Sequence, residues 1–494
     1  MSQRADMFII GAGPAGLCAA LRLQQLGYRV VLIERSAAWP RPQIGEALTP
    51  GVKNIIDFLD ANQALENVPH LTRLPTRLSW RSRTAETVAH ADAAVVDRSA
   101  FDAALLRLAI ARGIEVHQPA SLDSVGGRAG DWQLAFSTPN ATHQVQARMI
   151  LDAQGRRNSQ PRQMLCAPRL SAMWAEIAES DIPSELAHVT QVEALEQGWL
   201  WGTRLPDRRY RIMLLSDPLV SRQLGPGRPE SRLRHHCGAS SLFAGAARQP
   251  FCSPLQMCAA TPYVAVDSWQ DGRLKLGDAA FALDPISSSG VEKAMRFSLQ
   301  AAIAIHTVLQ AGNEAQRTLA HDFYRQRLIE TCARHHFWTA AYYRQAWCSE
   351  QPFWQERSTP GMAAAPGNRE ALLMSEALQQ EIDQLASYRE PVIQAGLDMQ
   401  TSQMIRFHHL VQIVSLPCVT GDKVELRPAM RHPHLERPLA FWENEAILPR
   451  LEILSQKAAL SSVLDLLGQS MNLQKAWRLL SWLRQRGLVE IVSD

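Results

Sequence analysis

The chain has 494 residues, 46% of them hydrophobic and 20% charged, with a formal net charge of +3. That length holds two to four domains around a sizeable core, and so small a charge excludes the strong basic excess of a nucleic-acid binder. The eight cysteines are scattered without a CxxC pair, so neither a zinc site nor a redox dithiol is signalled, and free thiols fit a reducing, cytoplasmic setting. No uncharged apolar stretch reaches the roughly 18 residues of a membrane span. Arg4 and the apolar run Met7–Leu21 imitate a signal peptide, but that run also carries the first motif, and cleavage would destroy it.

The motif is Met7-Phe8-Ile9-Ile10-Gly11-Ala12-Gly13-Pro14-Ala15-Gly16. An apolar strand enters a glycine-rich turn that opens a helix. Gly11 permits the turn, Gly13 admits a pyrophosphate to the backbone, and Gly16 lets helix and sheet pack closely. The helix N-terminus offers free N–H groups and partial positive charge to phosphates. A second strand, Arg29–Ile33, ends at Glu34, about 20 residues on, where an acid bonds ribose hydroxyls and repels a 2′-phosphate. The spacing predicts a dinucleotide other than NADP, with Gly11, Gly13, Ala15, Gly16, Glu34 and Arg35 as candidate binding residues.

Next comes Arg35 to Pro50, a proline-bearing loop that includes Ile44-Gly45-Glu46, and then a helix from about Val52 to Leu59. Asp97-Arg98-Ser99-Ala100-Phe101-Asp102 follows and starts an amphipathic helix. Trp132–Phe136 and His143–Ala147 read as a hairpin, and Met149 to Arg156 returns to the nucleotide domain through an Ala-Gln-Gly turn. Short strands separated by Pro- and Gly-bearing loops then run from Cys166 to Trp269. Among them, Gly198-Trp199-Leu200-Trp201 sends both tryptophans to one face of its strand. They either wall a substrate pocket or fill the core of the sheet.

The second strong motif is Gly277-Asp278, followed by Asp284-Pro285-Ile286-Ser287-Ser288-Ser289-Gly290-Val291 and a helix to about Leu309. Farther on, Trp338 and Tyr342 share a helix face, as core packing or as a lid over an aromatic substrate. After a linker at Arg431–Pro438, three helices and a strand suggest a winged-helix-like module. From Ala440 onward it carries six basic and six acidic residues, a balance that argues against DNA and for protein docking or a structural cap.

These motifs resemble those of FAD-dependent monooxygenases of the tryptophan-halogenase-like branch. The Gly-Glu-x-x-x-Pro loop at Gly45, the Asp-Arg-x-x-Phe-Asp pattern at Asp97, the Gly-Asp at Asp278 and the Ser/Gly turn at Ser287–Gly290 carry the resemblance. It implies an α/β fold with a glutathione-reductase-like (Rossmann) FAD domain over 1–165 and 270–310. A β-sheet substrate domain over 166–269 is inserted in it, followed by a helical region over 311–430 and the winged-helix-like C-terminal module over 431–494. The cofactor it implies is FAD, contacted by Arg98, Asp278, Pro285, Ser288, Ser289, Gly290 and Val291. On the residues alone, Arg98 also reads as a solvated side chain beside an Asp cap. Glu46 is the catalytic candidate, with a loop salt bridge as its other reading. No metal is expected.

In this branch reduced flavin and oxygen supply an electrophilic oxygen to an electron-rich ring. No second glycine fingerprint occurs, so electrons come from passing NAD(P)H or from a separate flavin reductase. The branch's halogenases use a lysine some thirty residues past the Gly-Glu loop. Here the only lysine between Glu46 and Arg98 is Lys53, too early to match, and the Trp motif has two extra residues before Leu205-Pro206. The expected reaction is therefore hydroxylation. Ser288-Ser289-Gly290-Val291-x-Lys293-Ala294 and the C-terminal module are similar to those of the flavoproteins that hydroxylate a peptidyl tryptophan in tryptophylquinone biogenesis. That likeness implies a protein or peptide substrate and a radical-enzyme partner, with neither nucleic acid nor membrane. Hydroxylation or halogenation of a small aromatic molecule, and a non-catalytic flavin scaffold, remain as alternatives.

Overall fold

The computed structural model describes residues 3–37, 45–89, 93–157, 163–219, 229–361, 369–391 and 400–492. They divide into two compact units, one of Met1–His306 with Tyr324–Ile382 and one of Thr307–Phe323 with Asp383–Asp494.

The first unit is built on a sheet in which Gln3–Ile10 lies between two parallel neighbours, Val30–Ile33 and Thr142–Asp152. Glu115–His117 adds to Val30–Ile33, and Arg273–Lys275 to Thr142–Asp152, also in parallel. Val30–Ile33 is buried along its whole length, the pattern of a strand covered on both faces. Asp131–Ser137 pairs antiparallel with Thr142–Asp152, as the hairpin reading expects. Pro14–Gln25 and Arg98–Ala111 are the helices of this layer. Asp97 caps the second by accepting the N–H groups of Ser99 and Ala100 at 2.8 and 3.0 Å.

A second, seven-stranded sheet carries Ser171–Ile177, Thr190–Leu195, Gly198–Arg204 and Tyr210–Ser216. Its edge is Thr76–Ser79 with Glu86–Val88. The sequence reading placed these two strands in the FAD domain. They leave it because Thr76–Ser79 pairs in parallel with Thr190–Leu195, a partner more than a hundred residues away that no local pattern announces.

One face of this sheet packs on an aromatic cluster. Trp80 is 1% exposed and donates its indole N–H to Tyr342 O at 3.0 Å. It stacks on the Tyr342 ring at 4.7 Å and meets Trp354 and Trp199 edge-on at 5.2 and 6.2 Å. Trp199 is therefore a core residue, with 2% of its surface exposed, and Trp201 packs half-buried on the same cluster. The pocket-wall reading of Trp199 does not hold, because the helix ending at Tyr343 covers the face on which a pocket would open. Tyr342 is likewise packing, whereas Trp338 is 52% exposed.

The second unit has an apolar core that joins Ile405, Leu451, Leu464, Leu480 and Val489. Its helices Leu460–Gly468 and Leu473–Gln485 accompany a three-stranded sheet in which Met404–Phe407 lies between Ala458–Ala459 and Val489–Val492. The central strand thus lies outside the 431–494 boundary read from the sequence. Gln412–Thr420 and Lys423–Arg431 form a hairpin where a helical region was expected. Pro417 and Pro428 stand within its strands, and prolines suit such an edge pair better than a helix interior.

Removing Trp80 empties the middle of the aromatic cluster. Trp80→Ala is expected to destabilise the first unit by about 3–5 kcal/mol, read as a lower urea midpoint in denaturation followed by tryptophan fluorescence.

Candidate functional site

The site starts at the turn after Gln3–Ile10. Gly11 has φ +107°, and a Cβ there would lie 2.5 Å from Ala153 O. A Cβ on Gly16 would lie 2.1 Å from Gly11 O. Both positions demand glycine for reasons internal to the protein. Gly13 differs: it has ordinary extended angles, and a Cβ there would meet nothing within 4 Å. The open space in front of it is where a pyrophosphate approaches the helix N-terminus. Gly290, at the start of the helix Gly290–Gln310, shows the same open space.

Glu34 is buried at the end of its strand and accepts the N–H groups of Ala12 and Ser36 at 2.8 and 2.9 Å. Arg35 beside it is exposed. Ala15 meets the other end of the chain, because a Cβ on Gly277 would lie 2.7 Å from that of Ala15. Asp278 follows and pairs with Arg156 Nε at 3.1 Å. Arg156 also donates to Ala259 O at 2.7 Å, and the Tyr263 hydroxyl donates to Asp278 O. Arg156 belongs to the turn after Met149–Leu151, but as one exposed-looking arginine it gave no sequence signal of this partner.

The loop at Gly45 is held from three directions. Arg98 is 7% exposed, so the solvated reading does not hold for it. It donates to Gly45 O at 3.1 Å and pairs with Asp102 at 3.2 Å. Glu46 is buried and forms an ion pair with Arg211, and its second oxygen accepts Gly45 N–H at 3.1 Å. Burial holds the Glu46 carboxyl above the usual carboxylate range, against the opposing pull of Arg211 and Arg98. Arg211 is shared with Glu176, its direct cross-strand neighbour. Of the two readings of Glu46, the geometry displays the ion pair. Arg211 was missed, although one arginine in the apolar strand Tyr210–Ser216 was a signal, since a buried charge requires a partner. The third hold is Glu292, which accepts the Thr49 hydroxyl and pairs with Arg296 at 2.8 Å. The loop's first half, including Ile44, lies outside the described residues.

Pro285–Ser287 forms one helical turn, and Ser288 takes a left-handed conformation with φ +51°. The Ser287 and Ser289 hydroxyls bond each other at 2.7 Å, and Ser289 O accepts the Lys293 N–H at 2.9 Å. Half-buried Val291 lies beside Gly45, its Cγ2 being 3.6 Å from where a Cβ on Gly45 would be. The Gly45 loop and the Ser/Gly turn are thus neighbours. The site therefore has a glycine turn with open space at a helix N-terminus, a buried acid at a strand end and a second helix N-terminus flanked by small residues. These residues fit FAD, whose pyrophosphate Gly13 would admit and whose flavin end Gly290 would meet. No group of His, Cys, Asp and Glu with metal-holding geometry occurs among the described residues, and no described helix is long and apolar enough to cross a membrane.

Residues 84–392 match the tryptophan halogenase family, and residues 6–156 match the FAD dependent oxidoreductases. A tryptophan 2-halogenase of Chondromyces crocatus is 27% identical over 377 residues, which span 70% of this chain and 69% of that one. Among solved structures, the flavin-dependent halogenase CmlS superposes with a TM-score of 0.71 at 19% identity, covering 100% of this chain and 98% of its own. QhpG, a peptidyl tryptophan dihydroxylase essential for tryptophylquinone cofactor biogenesis, superposes with a TM-score of 0.68 at 19% identity, covering 98% and 100%.

The contrast among the glycines makes a prediction. Gly13→Ala leaves the melting temperature of the FAD-free protein unchanged, because the methyl meets no protein atom. It weakens FAD binding by roughly tenfold or more, measured by titrating FAD into the stripped protein.

Proposed function

The chain belongs to the tryptophan halogenase family, and from that membership we propose a monooxygenase that hydroxylates a tryptophan ring within a protein or peptide, in the maturation of a tryptophylquinone cofactor. Bound FAD supplies the redox chemistry: two electrons pass to oxygen, one oxygen atom replaces a ring hydrogen as hydroxyl, and the other leaves as water with two protons. The chain's own residues bind the cofactor and hold its loop. Gly13 and the helix N-terminus would receive the pyrophosphate, Glu34 the ribose and Asp278 the ribityl chain, with Arg156 holding the Asp278 carboxylate in place. Arg98, Arg211 and Glu292 fix the Gly45–Pro50 loop.

One observation carries hydroxylation over halogenation. Some thirty residues past the Gly-Glu loop, where the branch's halogenases use a lysine, this chain has Leu78-Ser79-Trp80-Arg81, with Trp80 buried. The only lysine of the segment, Lys53, has a side chain 74% exposed and pairs with Asp57 on the surface of its own helix. Without an amine at that place, nothing in the segment captures a hypohalous acid. Likeness to the peptidyl tryptophan dihydroxylase along nearly the whole chain supports a polypeptide substrate, and with it a radical-enzyme partner that prepares the precursor. Electrons come from NAD(P)H in passing or from a separate flavin reductase. Halogenation of an aromatic ring is the second reading, favoured by the halogenase relative.

Mass spectrometry decides between the two. The FAD-loaded protein is reduced and mixed with oxygen, halide and the tryptophan-bearing precursor peptide. A gain of one or two oxygen atoms on tryptophan is expected, and a gain of chlorine or bromine overturns the proposal. In the same assay Glu46→Gln is expected to lower the yield and keep the pH profile, as befits a loop anchor. Loss of one limb of the profile would instead assign Glu46 as the base.

A further inference from the structure

Behind the Ser/Gly turn lies a buried polar chain that the FAD contacts do not use. Asp284 lies two residues past the strand Phe281–Ala282, caps the turn Pro285–Ser287 and is 5% exposed. One of its oxygens accepts the Ile286 N–H at 3.0 Å. Tyr343 donates its hydroxyl hydrogen to the same carboxylate and lies 2.9 Å from both oxygens. The Tyr343 hydroxyl in turn accepts the indole N–H of Trp199 at 3.2 Å. His335 lies on the same helix as Tyr343 and bonds Asp284 O at 3.1 Å. A carbonyl only accepts, so Nε2 of His335 carries the hydrogen.

We propose that Asp284 and Tyr343 are positioning residues for the flavin: together they lock the Pro285–Ser289 turn in one conformation and anchor it to the long helix and, through Trp199, to the substrate sheet. The serines of the turn bond mainly each other and the helix that follows, and Ser288 sits in a left-handed conformation that a non-glycine residue keeps only when its surroundings impose it. Ile286 packs on the aromatic cluster that includes Tyr343 and Trp199, a contact without fixed direction, and Asp284 adds the directional hydrogen bonds to the same cluster. Arg357 lines the same cavity as Asp284 and attracts the carboxylate, and burial makes each of the hydrogen bonds of Asp284 costly to lose. The environment is consistent with an acceptor held by neutral donors: burial pushes the Asp284 carboxyl up to about 6 and the His335 imidazole down to about 4. The pair rests on the FAD assignment and stands whichever of the two reactions the site performs.

The test is FAD affinity, the visible spectrum of the bound flavin and the melting temperature of the stripped protein. Tyr343→Phe removes only the hydroxyl and is expected to weaken FAD binding about tenfold and to shift the flavin spectrum. Asp284→Ala does the same, and the double variant is no weaker than the worse single one, because both changes break one network. Asp284→Asn keeps an oxygen for Ile286 N–H and for Tyr343, and is expected to restore affinity and spectrum to near the wild-type values. Trp354→Phe is the control, since it loses a buried indole bond to Leu195 O at 2.8 Å in the same aromatic cluster. It lowers the melting temperature and leaves the flavin spectrum alone. Tyr343→Phe with wild-type affinity and spectrum, behaving like the control, overturns the proposal. Asp284→Asn as weak as Asp284→Ala also overturns it, in favour of a role for the charge.

Discussion

The site depends on the close approach of Gly277 to Ala15. At that point the backbone of the late Gly-Asp motif comes so near the first helix that a Cβ would lie 2.7 Å from the Ala15 methyl. Gly277 also has φ +54°, so a side chain is excluded both by space and by conformation. The contact becomes possible because Arg273–Lys275 joins the parallel sheet beside Thr142–Asp152. It brings Asp278 and the Ser/Gly turn, some 260 residues from the first glycines, close to the first helix. Without it there is a phosphate-binding turn and no FAD site.

A second constraint acts where the parallel sheet's loop meets the seven-stranded sheet. Arg211 stands in a strand of that second sheet, yet it pairs with Glu46 of the Gly45 loop as well as with Glu176 beside it. Each partner separately would leave an uncompensated buried charge if the other layer moved. The ion pairs therefore fix the register of loop against sheet more than they stabilise either. Arg98 works in the same way from the helix side through Gly45 O. The loop is thus held by charge and by hydrogen bonds to its backbone, and Leu48 adds a buried apolar contact.

The aromatic residues show how one pattern serves two ends. Alternating tryptophans in Gly198–Arg204 and an aromatic helix downstream read equally as a substrate wall or as packing. Trp199 and Tyr342 are packing, joined through Trp80 in a cluster of edge-on and stacked rings. Polarity inside that cluster is satisfied in every case for which the indole or hydroxyl is buried: Trp80 bonds Tyr342 O, Trp354 bonds Leu195 O and Tyr343 bonds Asp284. Large aromatic residues tolerate such burial because each carries one polar atom that can be aimed at a partner.

Features whose chemistry is local are legible along the chain. The glycine spacing, Glu34 at a strand end, the Asp97 cap and the Asp284–Gly290 turn each need particular residues at particular positions, and each is visible in a window of a few residues. Features that depend on distant pairing emerge in the folded chain alone. Thr76–Ser79 belongs to the seven-stranded sheet because of a strand over a hundred residues on, and Met404–Phe407 belongs to the terminal sheet because of Val489–Val492. Arg156, Arg211 and Tyr343 stayed unread for the same reason: a side chain's partner lies wherever the fold places it, and a hydrogen bond or ion pair acts over about 3 Å of space regardless of separation along the chain.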